Sequence, residues 1–406
     1  MAERADASPR LSRRRLLAGG ALALGGTALG SAGIGGMIAG GSSPATAAIG
    51  EAVEPFYGEH QAGIETYPQA HAAFLAFDLG PGSDREAIGR LMRLLTEDAA
   101  RLCAGRAPLA DTEPELAALP ARLTVTFGFG PRLFTLAGVD DQRPDGVEPL
   151  PPFAIDRLEE RWSGGDLLIQ ICADDPLTVA HAQRVLTKDA RAFGSLRWAQ
   201  IGFRRAAGSL PRSVTQRNVM GQLDGTANPM PGTDGFARCV WATDGPPWHR
   251  GGTTLVLRRI RVELETWDAV DRRGKEFVVG RRLDTGAPLT GTHEYDEPDL
   301  AATDALGLPV IDTYAHIRRA RAEHDDLRIF RRSYNYDGAP GPDGSPDTGL
   351  IFASYQADVR RQFLPIQTRL AEADLLNEWT TPIGSAVFAI PPGCQPGGWI
   401  GETLLG

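Results

Sequence analysis

Apolar and polar positions along this chain fall into two alternating kinds of run. "HAAFLAFDL" (residues 71–79) reads as a β-strand, and "DREAIGRLMRLLTEDAARL" (84–102) repeats its apolar positions at the spacing of an amphipathic helix. "RLTVTFGFG" (122–130) and "GDLLIQICAD" (165–174) are strand-like again, and "PLTVAHAQRVL" (176–186) is helical.

The second half echoes the first. "GLIFASYQAD" (349–358) resembles "GDLLIQICAD", with Gly349 as far beyond Gly165 as Asp358 is beyond Asp174. Gln367 follows Gln183, and Leu370 follows Leu186, at the same offset. "TTLVLRRIRV" (253–262) stands close to where a copy of "HAAFLAFDL" belongs. Matches at one offset inside the same strand-then-helix pattern predict two copies of one α+β unit. Short strand-like runs separated by helices predict antiparallel sheets covered by helices on one side. The break falls near Leu210–Pro211. The expected domains are therefore 48–210 and 211–406.

Residues 1–47 stand outside that pattern. "SRRRLL" (12–17) precedes a weakly apolar, glycine-rich run that ends in a small-residue cleavage pattern at Ala45-Thr46-Ala47. This is the layout of a twin-arginine signal, which predicts an extracellular, periplasmic or cell-envelope protein. So many glycines make a poor spanning helix, and contact with a membrane is expected only through this segment if it stays uncleaved. The twin-arginine route carries chains already folded, often with a cofactor inserted.

Composition narrows the function classes. The chain has 406 residues, 42% hydrophobic and 23% charged, as in a soluble enzyme of two domains. The net charge of -9 and the lack of a basic stripe argue against nucleic acid as a partner. Cys103, Cys172, Cys239 and Cys394 form no CxxC pair and no haem-attachment motif. No ligand cluster is spaced for a zinc or copper enzyme.

One loop raises a chemical question. "GQLDGTANP" (221–229) holds two turn signals, Asp-Gly and Asn-Pro. Asp224 either closes the turn on its own backbone or is carried by the turn toward something reactive. Downstream, "TYAHIRRARAEHDDLRIFRRSYNY" (313–336) places His316 in a helical pattern, with Arg331 and Arg332 beyond it.

Taken together, these segments resemble the dye-decolorising peroxidase family, in its twin-arginine-exported, deferrochelatase-like branch. The resemblance rests on Gly221-Gln222-Leu223-Asp224-Gly225 with Asn228-Pro229, on Ala315-His316-Ile317-Arg318, and on Arg331-Arg332-Ser333-Tyr334-Asn335-Tyr336. "FYGEHQAGIETYPQAHAAFLAFDL", "LTVTFGFGPRLF" and "FLPIQTRLAEADLLNEWTTPIGSAVFAIPPG" extend it from about Phe56 to the C-terminus. The chain departs from the family after His316, where "ARAEHDD" lacks the usual Pro and Asn.

The resemblance implies a fold of two ferredoxin-like α+β domains, with antiparallel sheets and peripheral helices and with non-covalent haem b in the C-terminal one. It implies that His316 is the axial ligand of the haem iron, steadied by an acid the sequence does not identify. Asp224 would shuttle the peroxide proton. Arg332, with Arg331 as the fallback, would stabilise developing negative charge, and Arg332 and Gly225 would lie against the cofactor. The implied partners are hydrogen peroxide and a small-molecule electron donor, with dyes, phenols or other bulky reductants oxidised through a ferryl intermediate. Tyr334, Tyr336 and Trp248 are candidates for passing electrons at the surface. Two alternatives keep the haem: a deferrochelatase that releases iron and leaves the porphyrin intact, acting with iron-uptake components, or a non-enzymatic exported haem-binding protein.

Overall fold

A computed structural model of the chain describes residues 49–341 and 344–406. The predicted export segment lies outside the described residues. Beyond it, the chain builds two sets of strands with the same internal order. The first set is β1 (His71–Leu79), β2 (Thr124–Phe129), β3 (Leu167–Ala173) and β4 (Gly194–Phe203), hydrogen-bonded in the order β4-β1-β3-β2. Helices Arg85–Cys103 and Pro176–Ala190 make the two crossovers. Each starts where a carboxylate meets a free backbone N–H: Asp84 accepts from Ala87 at 2.8 Å, and Asp175 accepts from Leu177 with Pro176 in the first turn.

The second set is β5 (Thr253–Val262), a two-residue β6 (Phe330–Arg331), β7 (Tyr334–Asp337), β8 (Thr348–Gln356) and β9 (Thr380–Ile390). Its order is β9-β5-β8-β7, with β6 also on β8, and every pairing in both sets is antiparallel. This repeats the first set strand for strand, so the expected duplication of a ferredoxin-like α+β unit is present. The strand beginning at Thr253 takes the place of β1, and Asp358 caps the helical segment after β8 much as Asp175 caps the one after β3.

The two sets also touch edge to edge. Phe129 of β2 pairs with Ala389 of β9, and Phe203 of β4 pairs with Asn335 of β7. The strands therefore close into a ring, with a core inside it and further cores outside.

The alternation along β1 explains its unbroken apolar run. Ala73, Leu75, Phe77 and Leu79 pack outward under the two long helices, with Leu91, Leu95, Val179 and Leu186. Ala72, Phe74 and Ala76 point inward, where they meet Leu255, Tyr334, Ile351, Tyr355 and Phe388 of the second set. A strand buried on both faces has no polar face to show. Truncating Phe74, fully buried in that shared core, would cost roughly 3–5 kcal/mol.

Candidate active site

The loop 221–229 is shaped by its backbone before any side chain acts. Gly221 (φ +82°) and Gly225 (φ +128°) sit in the left-handed region, which a side chain resists. Gly225 is needed for this conformation; a Cβ there would meet only ordinary contacts at 3.7 and 3.8 Å. The Asp224 N–H donates to the Gln216 carbonyl at 2.9 Å, and Arg217 and Leu223 bridge across the loop. The Asp224 carboxylate is not spent on the turn. Its Oδ1 accepts from Arg331 Nη1 at 2.8 Å, and the two side chains keep only 11% and 24% of their surface exposed.

The pairing falls to Arg331 and not to its neighbour. Successive residues of an extended chain point to opposite faces, and Arg332, the residue just past β6, points into the interior. There Arg332 is fully buried and donates to the Thr66 carbonyl and to Oε1 of Gln69. The expectation that Arg332 faces Asp224 is corrected on that ground, and the fallback, Arg331, holds the position.

His316 opens a single helical turn, His316–Arg319, shorter than the helical pattern of its sequence. Its Nδ1–H donates to Oδ2 of Asp374 at 2.6 Å. Asp374 is itself held: its Oδ1 caps the turn Leu375–Glu378 through the Leu376 N–H at 2.9 Å, and Leu375 N–H reaches the Tyr314 carbonyl at 3.0 Å. Burial pushes the imidazole toward its neutral form, but the Asp374 carboxylate outweighs it, so the pKa lies above the ordinary histidine value. Arg331 and Asp224 also act on the ring, in opposite directions, so the two halves of the site lie within electrostatic reach of each other.

Asp374 is the acid that the sequence left unassigned. The only local sign of it is an aspartate opening "DLLNEW", which reads as an ordinary cap. The ring keeps 30% of its side-chain surface accessible, and among the described residues its Nε2 takes no hydrogen bond.

Two family models match the chain: "Dyp-type peroxidase, N-terminal" over residues 61–204 and "Dyp-type peroxidase, C-terminal" over residues 215–395. The chain belongs to the Dyp-type peroxidase family. Among its relatives, the "Dye-decolorizing peroxidase" of Thermobifida fusca (strain YX) is 39% identical over 360 residues, covering 85% of this chain and 83% of that one. The "Deferrochelatase" of Escherichia coli (strain K12) is 36% identical over 414 residues, covering 97% of each chain. The crystal structure of a DyP-type peroxidase from Cellulomonas bogoriensis superposes with a TM-score of 0.86 at 54% identity, covering 88% of this chain and 99% of that one.

One other reading of this Dyp-type peroxidase changes with the structure. Tyr334, Tyr336 and Trp248, the candidates for passing electrons at the surface, are 0%, 2% and 5% exposed. Trp248 packs against Phe129 and Phe134, and its indole N–H donates to the Gln142 carbonyl. The aromatic rings that do reach the surface include Tyr295 and Tyr314. His249 is buried on the Thr253 carbonyl, and burial lowers its pKa to about 4. His60 stacks on Trp241. All four cysteines are free, and among the described residues no group of His, Cys, Asp and Glu is placed to hold a metal ion by itself. His316 Nε2 offers one ligand. That is too few for a bare ion, and it is enough for an iron already held in a porphyrin.

Proposed function

We propose that the chain is an exported haem peroxidase that reduces hydrogen peroxide on the Asp224–Arg331 side of its site and oxidises dyes, phenols or other bulky reductants. The observation that carries this reading is the pairing of two prepared groups within electrostatic reach of each other: an imidazole anchored at one nitrogen, and a carboxylate held by a guanidinium. Haem binding alone needs neither Asp224 nor Arg331.

Haem b is the cofactor. When bound, it would supply the redox chemistry, taking oxidising equivalents from peroxide and passing them to the reductant. His316 Nε2 would hold its iron. Asp374 would fix the orientation of the ring and raise its electron donation, as acids behind ligating histidines do.

Asp224 moves the proton. With Oδ1 engaged by Arg331, Oδ2 is the oxygen left to take the proton from one peroxide oxygen and return it to the other. The Arg331 guanidinium is placed to stabilise the negative charge that develops as the O–O bond parts.

The test is spectroscopic. Protein loaded with haem should show a Soret band that shifts on one equivalent of peroxide and returns when a dye is added. Asp224→Ala and Arg331→Leu should keep the Soret band and slow the peroxide step about 10²- to 10³-fold in stopped flow. Rates unchanged in both variants would overturn the assignment.

A second reading has its own support: relatives named Deferrochelatase align over 97% of the chain. Iron release with the porphyrin left intact would produce porphyrin fluorescence over time, and a dark sample would exclude it. On that reading, iron-uptake components would be partners.

Export rests on the arginines at 13–15 and the run that follows them. Replacing Arg13 and Arg14 by Lys should trap the protein in the cytoplasm, and undiminished export of that variant would remove the twin-arginine assignment. The proposed division between domains at Leu210–Pro211 lies between the two matched segments.

A further inference from the structure

We propose that Asn228 is a positioning residue, which holds Arg331 in place for the peroxide step when its ion pair with Asp224 is absent. The proposal rests on the reading of Arg331 given above and extends it to a side chain that touches neither peroxide nor haem in that reading.

The observation lies in the backbone of β6. This two-residue strand bonds to β8 on one side, with Arg332 N–H donating to the Ala353 carbonyl at 2.8 Å. Peptide groups of an edge strand alternate between the partner and open space. The open-side groups of β6 are the N–H and C=O of Arg331, and Asn228 takes both. Its Nδ2 donates to the Arg331 carbonyl at 2.7 Å, and its Oδ1 accepts from the Arg331 N–H at 3.1 Å. One carboxamide thus stands in for the missing neighbouring strand, across a separation of 103 residues in sequence.

Asn228 is anchored to the same turn as Asp224. Its own N–H donates to the Gly225 carbonyl at 2.9 Å, and Pro229 after it restricts its backbone to extended forms. Neighbouring Thr226 ties the turn to Glu294 at 2.8 Å. The turn therefore grips Arg331 twice, through the guanidinium by Asp224 and through the main chain by Asn228.

The two grips respond differently to the chemistry. A carboxylate that takes a proton loses its charge, and with it most of its hold on a guanidinium. Asp224 must do this in every turnover. An amide–peptide pair has no charge to lose, so the Asn228 grip persists through the protonated stage and keeps Arg331 where negative charge develops. A displacement of about 1 Å at such a position can cost on the order of 100-fold in rate.

The test is a double-mutant cycle on the full-length, haem-loaded protein, read by the bimolecular rate with hydrogen peroxide. Asn228→Ala should slow that step about 10- to 100-fold, with the Soret band and thermal midpoint showing an intact fold. In an Arg331→Leu background the same change should cost less than about twofold, because nothing is left to position. Hydrogen exchange supplies a readout independent of turnover: the Arg331 amide should lose protection in Asn228→Ala while the β8 amides keep theirs. Asn228→Asp, the same shape without the Nδ2 donor, guards against a folding failure and should also slow the step. Equal slowing in both backgrounds would overturn the inference, because Asn228 would then act elsewhere. A normal rate in Asn228→Ala, with Arg331→Leu slow, would overturn the inference and leave the peroxidase reading standing. A normal rate in Arg331→Leu itself would bring down both.

Discussion

His181 in the first half of the fold and His316 in the second each hold an aspartate, Asp111 at 2.9 Å and Asp374 at 2.6 Å. Their surroundings differ. His181 lies on the long helix over the N-terminal sheet, where both it and Asp111 are 2% exposed. Its second nitrogen faces the Arg184 guanidinium at 3.5 Å, so neither side of the ring is open. Among the described residues His316 shares only one nitrogen with protein. The cause is a difference in how the same frame is filled. Helices Arg85–Cys103 and Pro176–Ala190 seal the outer face of the first sheet into one large core. Between β5 and β7 the chain instead makes short turns, Leu264–Asp268, Arg272–Val279 and His316–Arg319, around a small cluster of Met220, Val262, Trp267, Val278 and Val279. A repeat that fills its outer face has a closed pair there; one that leaves the face loosely covered has an imidazole with one nitrogen open.

The largest expected effect tests that contrast directly. His316→Ala should abolish the Soret band of purified protein. His181→Ala should keep it and lose stability, by roughly 3–5 kcal/mol if Asp111 is left charged and buried. A native haem spectrum in His316→Ala would break the comparison, and so would haem loss from folded His181→Ala.

The aspartates should separate next. Asp374→Asn removes the acid behind His316 and should lower haem affinity or peroxide reactivity about 10- to 100-fold. Asp111→Asn should leave the peroxide rate alone in the same stopped-flow assay. Matching rates in the two variants would erase the distinction drawn between the pairs.

The smallest effect is a pH dependence confined to the first half. Asp98 and Asp189 meet between its two helices, beside a cavity of about 260 Å³ that Asp111 and Glu113 also line. Oδ2 of Asp189 is buried without a donor, so the two carboxyls bond only if a proton lies between them. Burial and the Asp98 charge raise the Asp189 pKa to about 7, and Asp98 is raised as well. Glu97 and Asp111 add to the effect on Asp98, while Arg101 opposes it; Lys188 opposes it on Asp189. A carboxyl raised in the folded state holds its proton more tightly there than when unfolded. Its contribution is therefore full at low pH and is lost as the pH rises from the ordinary carboxylate range through about 7. Asp189→Asn should gain thermal midpoint over the parent chain across that interval, with the gain level above it. A difference that does not change with pH would refute the shared proton.

How much of this could be read beforehand varies with the element. β1 was legible because it is apolar along nearly its whole length, β5 because it stands close to where a copy of β1 belongs, and the two long helices because their apolar positions repeat at helical spacing. β4 was harder, since it buries Gln200 against Arg259 while Ile201 and Phe203 face outward. Its pattern is the reverse of a simple half-buried strand, because its inner face meets the polar groups of the other sheet. In the site, Asp224 and His316 stood inside recognisable motifs. Asp374 did not, because an acid that caps a turn looks the same whether or not a histidine lies behind it.

The sequence by itself determined the duplication, the turn that carries Asp224 and the family, and it singled out His316, because each is written in local spacing or in a contiguous motif. Only the tertiary structure decided between Arg331 and Arg332, which share a dipeptide and a charge. That choice depends on which face of β6 looks toward the loop 221–229, and a strand's facing is set by its partner, β8, and by Asn228 on its open edge. Those contacts join positions far apart along the chain, and no local pattern encodes them.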